Sequence, residues 1–268
     1  MLDSGTVRQL AKDCKVYDLS QPVHSAAPLS PNHPPFSLAL LRRHGDSVRE
    51  GGVSGANELV AMCLHSGTHI DALSHISCNG LLHGGLNAQE VQSGGKGMRQ
   101  LGIETVDPIV CRGVLLDVAG LKGKQVLDPA YEVTPGDLEE ACAQHGVTVE
   151  RGDAVMIRTG WSAYYENVQQ FVSEEKGAPG AGLAAAQWLS SRGVRVTGNE
   201  TISYEVVRPG INERPVHAHL LVDAGVHIME LMNLEELARD RVYEFLFVCS
   251  PVRFVGGTGS PIRPLAIV

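Results

Sequence analysis

The stretch Leu64-His65-Ser66-Gly67-Thr68-His69-Ile70-Asp71-Ala72-Leu73-Ser74-His75 puts three imidazoles and one carboxylate within eleven residues, at spacings of four, two and four. Neutral imidazole nitrogen and carboxylate oxygen together suit a divalent cation such as zinc, manganese or iron. A catalytic ion takes about three protein ligands and keeps positions open for water and substrate. Gly67 lets the backbone turn tightly enough for His65 and His69 to converge, and Asp71 supplies the anionic oxygen. A chance crowd of polar residues on a surface turn would explain an isolated His-xxx-His pair, but poorly explains four such residues beside apolar strand sequence. His75 is open between a fourth ligand and a proton carrier near neutral pH, and general acid or base is the expected role.

Working outward, Asn57 to Leu64 reads as a buried strand, which puts the histidines at a strand end. Before it, Arg42 to Gly55 is a polar, Gly-rich loop or hairpin, and Phe36 to Leu41 alternates like a strand. Residues 21–35 carry five prolines and two histidines, and can be neither regular helix nor central strand. A Pro-rich loop of that length is more often functional than filler. Ser30, His24 and His33 within it, with Phe36 just after, are candidates for a substrate pocket; a rigid surface loop is the competing reading. Lys15 to Ser20 reads as a strand, after a short helix over residues 4–12.

C-terminal to the cluster, Gly113 to Val118, Ala154 to Thr159 and Val194 to Gly198 are apolar runs of strand length. Thr134-Pro135-Gly136-Asp137 opens a helix, with Thr134 as N-cap, and Gly146 ends it. Further helices are expected over 184–192 and 217–224 and from Asn233, with strands over 226–230, 242–248 and 265–268. The sum is a mixed α/β chain with no internal repeat or linker-like shift, read as one domain over 1–268. Glu230, between Met229 and Leu231 in an apolar strand, is costly to bury unless paired or ligated. His217 is its expected companion, with His219 as the alternative. Glu200 is a weaker candidate for supporting the ligands. Arg158 and Trp161 are pocket wall or core, and Gly256 to Ser260 is a tight turn.

A net charge of −8 without runs of like charge argues against nucleic-acid or anionic-membrane partners. The N-terminal residues lack a signal-peptide apolar region, and nowhere are there 18 uninterrupted apolar residues. Six cysteines without a CxxC pair read as reduced, mostly buried thiols of a cytoplasmic protein.

His65-Ser66-Gly67-Thr68-His69-Ile70-Asp71 followed by His75 resembles the HxGTHxDxPxH signature of the metal-dependent cyclase family, which includes bacterial kynurenine formamidases and isatin hydrolases. Asp18-Leu19-Ser20 with its Pro-rich loop, Gly113 to Asp117, Arg158-Thr159-Gly160-Trp161 and Gly256 to Pro261 are similar to other segments of that family. The resemblance implies a swivelling β/β/α, cyclase-like fold with a mixed sheet forming a barrel-like core, in a homodimer or homotetramer. It implies His65, His69 and Asp71 as metal ligands, His75 as proton relay, and a second set at His217 and Glu230. Two positions depart from the pattern: Leu73 replaces the motif's proline, and Ser30-Pro31 stands where kynurenine formamidases carry a substrate-contacting Trp-Pro.

The expected activity is metal-dependent hydrolysis, with Mn2+ or Zn2+, of an amide, formamide or lactam C–N bond in a small aromatic or cyclic molecule. Lactone or ester hydrolysis, and non-catalytic metal-dependent ligand binding, are the alternatives. A Gly-x-Ser-x-Gly nucleophile elbow is absent.

Overall fold

The computed structural model describes residues 5, 8 and 12–268. The helix expected over 4–12 lies for the most part outside the described residues. The apolar runs assemble into a nine-stranded mixed sheet, whose strands are labelled here in chain order. They are β1 (Val16–Asp18), β2 (His69–Asp71), β3 (Ile109–Asp117), β4 (Ala154–Arg158), β5 (Val196–Asn199), β6 (His227–Glu230), β7 (Glu244–Cys249), β8 (Gly259–Pro261) and β9 (Leu265–Ile267). Their spatial order is β1-β9-β7-β3-β4-β5-β6-β2-β8. The central pairs β3–β4, β4–β5 and β5–β6 are parallel and the outer ones antiparallel. Central parallel strands are covered on both faces, which is why β4 reads as an unbroken apolar run.

Side chains alternate between two cores. On one face Val114, Leu116, Val155, Ile157 and Ile228 pack beneath the helices Pro135–His145, Leu183–Ser191 and the segment 215–224. On the other, Leu115, Met156 and Met229 share one cluster with Tyr17 of β1, Ile70 of β2 and Phe247 of β7. Strands from opposite ends of the sheet can share one core only if the sheet curls, so the expected barrel-like core is present. Backbone contacts draw its ends together: Gln21 N donates to Thr68 Oγ1 at 2.8 Å, and Asn233 N donates to Leu19 O at 2.9 Å.

Helix Pro135–His145 follows its sequence signals. Thr134 Oγ1 accepts from Asp137 N, the Asp137 carboxylate accepts from Thr134 N, and Gly146 closes the last turn in the left-handed region; such an N-cap contributes about 1 kcal/mol. The helix expected over 217–224 begins at Pro215 and widens into a π-helix over Ala218–Ala224. Near Asn233 the helix is Glu235–Arg239; Asn233 Oδ1 accepts from Glu235 N at 3.2 Å. Among the described residues no helix is long and apolar enough to cross a membrane.

Two expectations are overturned. The strand read as buried is Asn57–Ala61, and every residue of it is exposed. It pairs with the equally exposed Ser37–Arg42 in a hairpin apart from the large sheet. Apolar sequence records a tendency to leave water, not which surface satisfies it. The thiols are not mostly buried either: Cys249 is, Cys78 is exposed, and the other four are half-buried.

Candidate metal centre

Strand register builds the site. His69 and Asp71, two residues apart on β2, share a face while Ile70 turns into the core. Antiparallel pairing of β2 with β6 sets Glu230 directly opposite His69, and pairing with β8 sets Gly259 opposite Asp71. His65 is folded back by Gly67, whose φ is +62° and whose absent Cβ would lie 2.4 Å from Val23 Cγ2. Any side chain there is both strained and blocked. Thr68 ties the turn down, donating to Leu231 O at 2.5 Å while accepting from Gln21 N.

His65 Nδ1 lies 2.8 Å from Asp71 Oδ1, and His69 Nε2 lies 3.6 Å from the same oxygen and 3.3 Å from Glu230 Oε2. His217 Nε2 lies 3.2 Å from Glu230 Oε1 and 3.8 Å from Asp71 Oδ2. Two donor groups result, His65–His69–Asp71 and Asp71–His217–Glu230, with donor atoms in each within 4.8 Å of one another. Asp71 belongs to both. His69 Nδ1 donates to Gly67 O at 2.9 Å, which fixes the ring with Nε2 directed at the Asp71 and Glu230 carboxylates. Among the described residues, buried His69 Nε2 and Asp71 Oδ2 have no hydrogen-bond partner. Unpartnered buried polar atoms are costly, and a cation held among these donors would satisfy both.

The charges are strongly coupled. Burial works against an ionised Asp71, but His75, His65 and His69 outweigh it and hold its carboxyl well below the usual range. Glu230 is likewise lowered against burial by His217 and His69. His217 is driven to about 10, burial being outweighed by Glu205 and Glu230. His75 moves the other way, down to about 4, chiefly through burial, with Asp71 opposing and His65 and His217 reinforcing. Its ring stacks on His65 with centroids 4.0 Å apart. It is a neutral imidazole beside the donor groups and outside both of them.

Among the pocket candidates, His33 comes to the cluster: its ring centroid is 6.1 Å from that of His65, and its buried Nδ1 has no hydrogen-bond partner among the described residues. His24 packs edge-on against Tyr165 at 6.4 Å. Ser30 is half-buried, its carbonyl accepting from His33 N, and Phe36 is half-buried at the entry to the hairpin. Leu29 and Pro31 line a cleft of about 650 Å³ with Trp161, Tyr164 and the 167–176 segment.

Elsewhere, His219 contacts Ser190 and Asp223, so His217 is the histidine at the cluster. Glu200 does not support the ligands; it accepts from Thr159 N, Gly160 N and Ser162 Oγ. Arg158 is buried between Asp117 and Glu235. Three further residues contact the cluster. Thr258, inside the Gly-rich turn, lies 3.0 Å from His65 Nε2; His227 Nδ1 lies 2.8 Å from Asp71 O; and Glu205 lies 2.5 Å from His217 Nδ1. Glu205, between Tyr204 and Val206-Val207, carries a faint signal of the same kind as Glu230, a carboxylate beside apolar residues.

The Cyclase family model matches residues 17–206, a span holding His65, His69, Asp71 and His75. A kynurenine formamidase from Sphingopyxis alaskensis is 27% identical over 256 residues, covering 94% of this chain and 97% of its own length. An isatin hydrolase from Roseibium aggregatum is 27% identical over 210 residues, covering 76% of this chain and 72% of its own. The crystal structure of a novel cyclase aligns with 97% of this chain and 88% of its own at TM-score 0.87 and 29% identity. An isatin hydrolase bound to the product analogue thioisatinate aligns with 100% of this chain and 99% of its own at TM-score 0.77 and 21% identity, a likeness of fold.

Proposed function

Because the chain belongs to the cyclase family, we propose that it is a metal-dependent hydrolase acting on carbon–nitrogen bonds other than peptide bonds. The bond is an amide, formamide or lactam in a small aromatic or cyclic molecule, a reading supported by relatives named for a formamide and for isatin, a lactam. One observation carries it: among the described residues, buried His69 Nε2 and Asp71 Oδ2 lack a hydrogen-bond partner where two donor groups meet.

His65, His69 and Asp71 would hold one ion, and Asp71, His217 and Glu230 a second. A divalent ion held there, Mn2+ or Zn2+, supplies Lewis acidity, lowering the pKa of water and polarising a carbonyl oxygen. The imidazole and carboxylate donors serve either metal. Neutral His75 takes the proton of the attacking water on an unprotonated ring nitrogen. It returns that proton to the departing nitrogen as the C–N bond breaks, leaving an amine and a carboxylic acid, which ionises by giving its proton to solvent. The Pro-rich loop links cleft and cluster, since Leu29 and Pro31 line the cleft while His33 packs by His65. That continuity supports assigning substrate choice to Ser30, His33 and the adjoining His24 and Phe36.

The assembly proposed is a homodimer or homotetramer. The hairpin supports it: Leu38, Leu40, Leu41 and Leu59 are 55%, 55%, 68% and 56% exposed, and an isolated two-stranded ribbon is marginal in water.

The test is hydrolysis of N-formylanilines, lactams, lactones and esters by the Zn2+- or Mn2+-loaded protein, before and after chelation. Chelator-sensitive cleavage of C–N substrates is expected. No turnover of any substrate, with His75→Ala binding metal and ligand normally, would establish a non-catalytic binding protein instead.

A further inference from the structure

Glu205 is 1% exposed, and both its carboxylate oxygens are engaged. Oε1 lies 2.5 Å from His217 Nδ1, and Oε2 accepts from Val216 N at 3.1 Å. The backbone goes to unusual lengths to bring it there. Tyr204, the residue before, has φ +51°, in the left-handed region that disfavours non-glycine residues. It is held there from both ends: its hydroxyl lies 2.7 Å from Thr197 Oγ1, and its carbonyl accepts from Asn199 Nδ2 at 2.6 Å. Ala181 N also donates to Tyr204 O, and Val206 N donates to Ala181 O. Beside that contact a Cβ on Gly180 would lie 2.4 Å from the carbonyl carbon of Glu205, so only glycine admits the approach. A strained residue over-determined by its surroundings marks a position that the fold is built to deliver.

We propose that Glu205 is a positioning residue for the cation group Asp71–His217–Glu230. With an ion bound, it keeps the one remaining His217 proton on Nδ1, leaving Nε2, which lies between Asp71 and Glu230, free to ligate. Carboxylates that hold the far nitrogen of a ligating histidine fix its ring and raise its basicity. His69 receives the same service from a backbone carbonyl, Gly67 O. The two groups therefore differ in kind: the imidazoles of one are backed by neutral groups, Gly67 O behind His69 and Thr258 Oγ1 behind His65, and that of the other by a full negative charge. The second group is thereby tuned for tighter hold on its ion. This inference rests on the metal-centre reading above.

The experiment is titration of chelator-stripped protein with Zn2+, following affinity and stoichiometry by calorimetry and elemental analysis, for wild type, Glu205→Gln, Glu205→Ala and His217→Ala. Glu205→Ala should weaken the ion held through His217 by roughly 10–100-fold, leaving the His65–His69 ion in place. Glu205→Gln keeps an acceptor and the shape while losing the charge, and should fall between. In the Zn2+-loaded, 15N-histidine-labelled protein, a slowly exchanging Nδ1 proton of His217 should be present in wild type and lost in Glu205→Ala. A merely structural acid would lower the melting temperature of the stripped protein without moving that resonance or the affinity. Unchanged Zn2+ affinity in both Glu205 variants, with wild type and His217→Ala differing, overturns the role of Glu205 alone. Equal Zn2+ binding by wild type and His217→Ala, or none by wild type, overturns the second cation group and this inference with it.

Discussion

The imidazole of His75 stacks on that of His65, with ring centroids 4.0 Å apart and planes inclined by 29°. The second ring belongs to a donor group and the first does not, so the two can be separated by mutation. His75→Ala should retain its metal while kcat falls roughly 10²–10⁴-fold, the usual worth of a general acid–base group. Elemental analysis alongside steady-state kinetics checks this, and an unimpaired kcat would remove His75 from proton transfer.

Asp71 is the member common to both donor groups. Asp71→Ala should strip the metal from both and abolish the stabilisation that bound metal gives the fold. The measure is metal content after purification, with melting temperature in the presence and absence of Zn2+. Wild-type metal content in this variant would sink the ligand assignment.

In chelator-stripped protein the histidines give stability a two-sided pH dependence. His217 is raised from 6.5 to about 10, so its contribution is full below pH 6.5 and is lost as pH rises through 10. His75 is lowered from 6.5 to about 4. Its contribution is full above pH 6.5 and is lost as pH falls toward 4, by about 3 kcal/mol at ~1.4 kcal/mol per pH unit. Melting temperature should therefore fall on both sides of neutrality. His217→Gln should flatten the alkaline limb and His75→Gln the acid limb; limbs identical to wild type would refute the assignments.

Leu38 pairs with Val60 and Ala39 with Leu59 across the hairpin, so Leu38 and Leu59 lie on opposite faces. The double variant Leu38→Glu, Leu59→Glu should sediment as a monomer while unfolding within about 0.5 kcal/mol of wild type under monomeric conditions, because both residues are exposed. An unchanged sedimentation mass would remove the hairpin from the interface.

Buried Arg158 holds Asp117 at 2.8 Å and Glu235 at 2.8 Å. Arg158→Ala should cost about 3–5 kcal/mol in urea unfolding, because Asp117 loses the cation that makes its burial tolerable. A cost near zero would show that water replaces the guanidinium.

Legibility varied with the range of the interaction. Strand β4 and helix Pro135–His145 were readable because run length, N-cap and C-terminal glycine act within a few residues. Gly67 was readable for the same reason: its turn is local. The hairpin strand was misread because Leu59 and Val60 look alike whether their own chain or another surface covers them. Glu200 was misplaced because a buried acid records only that donors must surround it, and Thr159, Gly160 and Ser162 supply them away from the cluster. Thr258 was invisible and Glu205 showed only as an acid beside apolar residues, since a hydroxyl or carboxyl in a loop acquires its partner only when the loop is placed.

By itself, the sequence determined the donor atoms: the imidazoles of His65 and His69, the carboxylate of Asp71, and the tight turn that lets them converge. It also determined that this chemistry suits a divalent cation. Tertiary structure decided that Asp71 serves two groups, that His217 rather than His219 completes the second, and that His75 stands outside both. The physical reason is that a metal group is a set of short distances. Here those distances are set by the pairing of β2 with β6 and by the approach of His217 to Asp71 and Glu230, which join segments far apart along the chain.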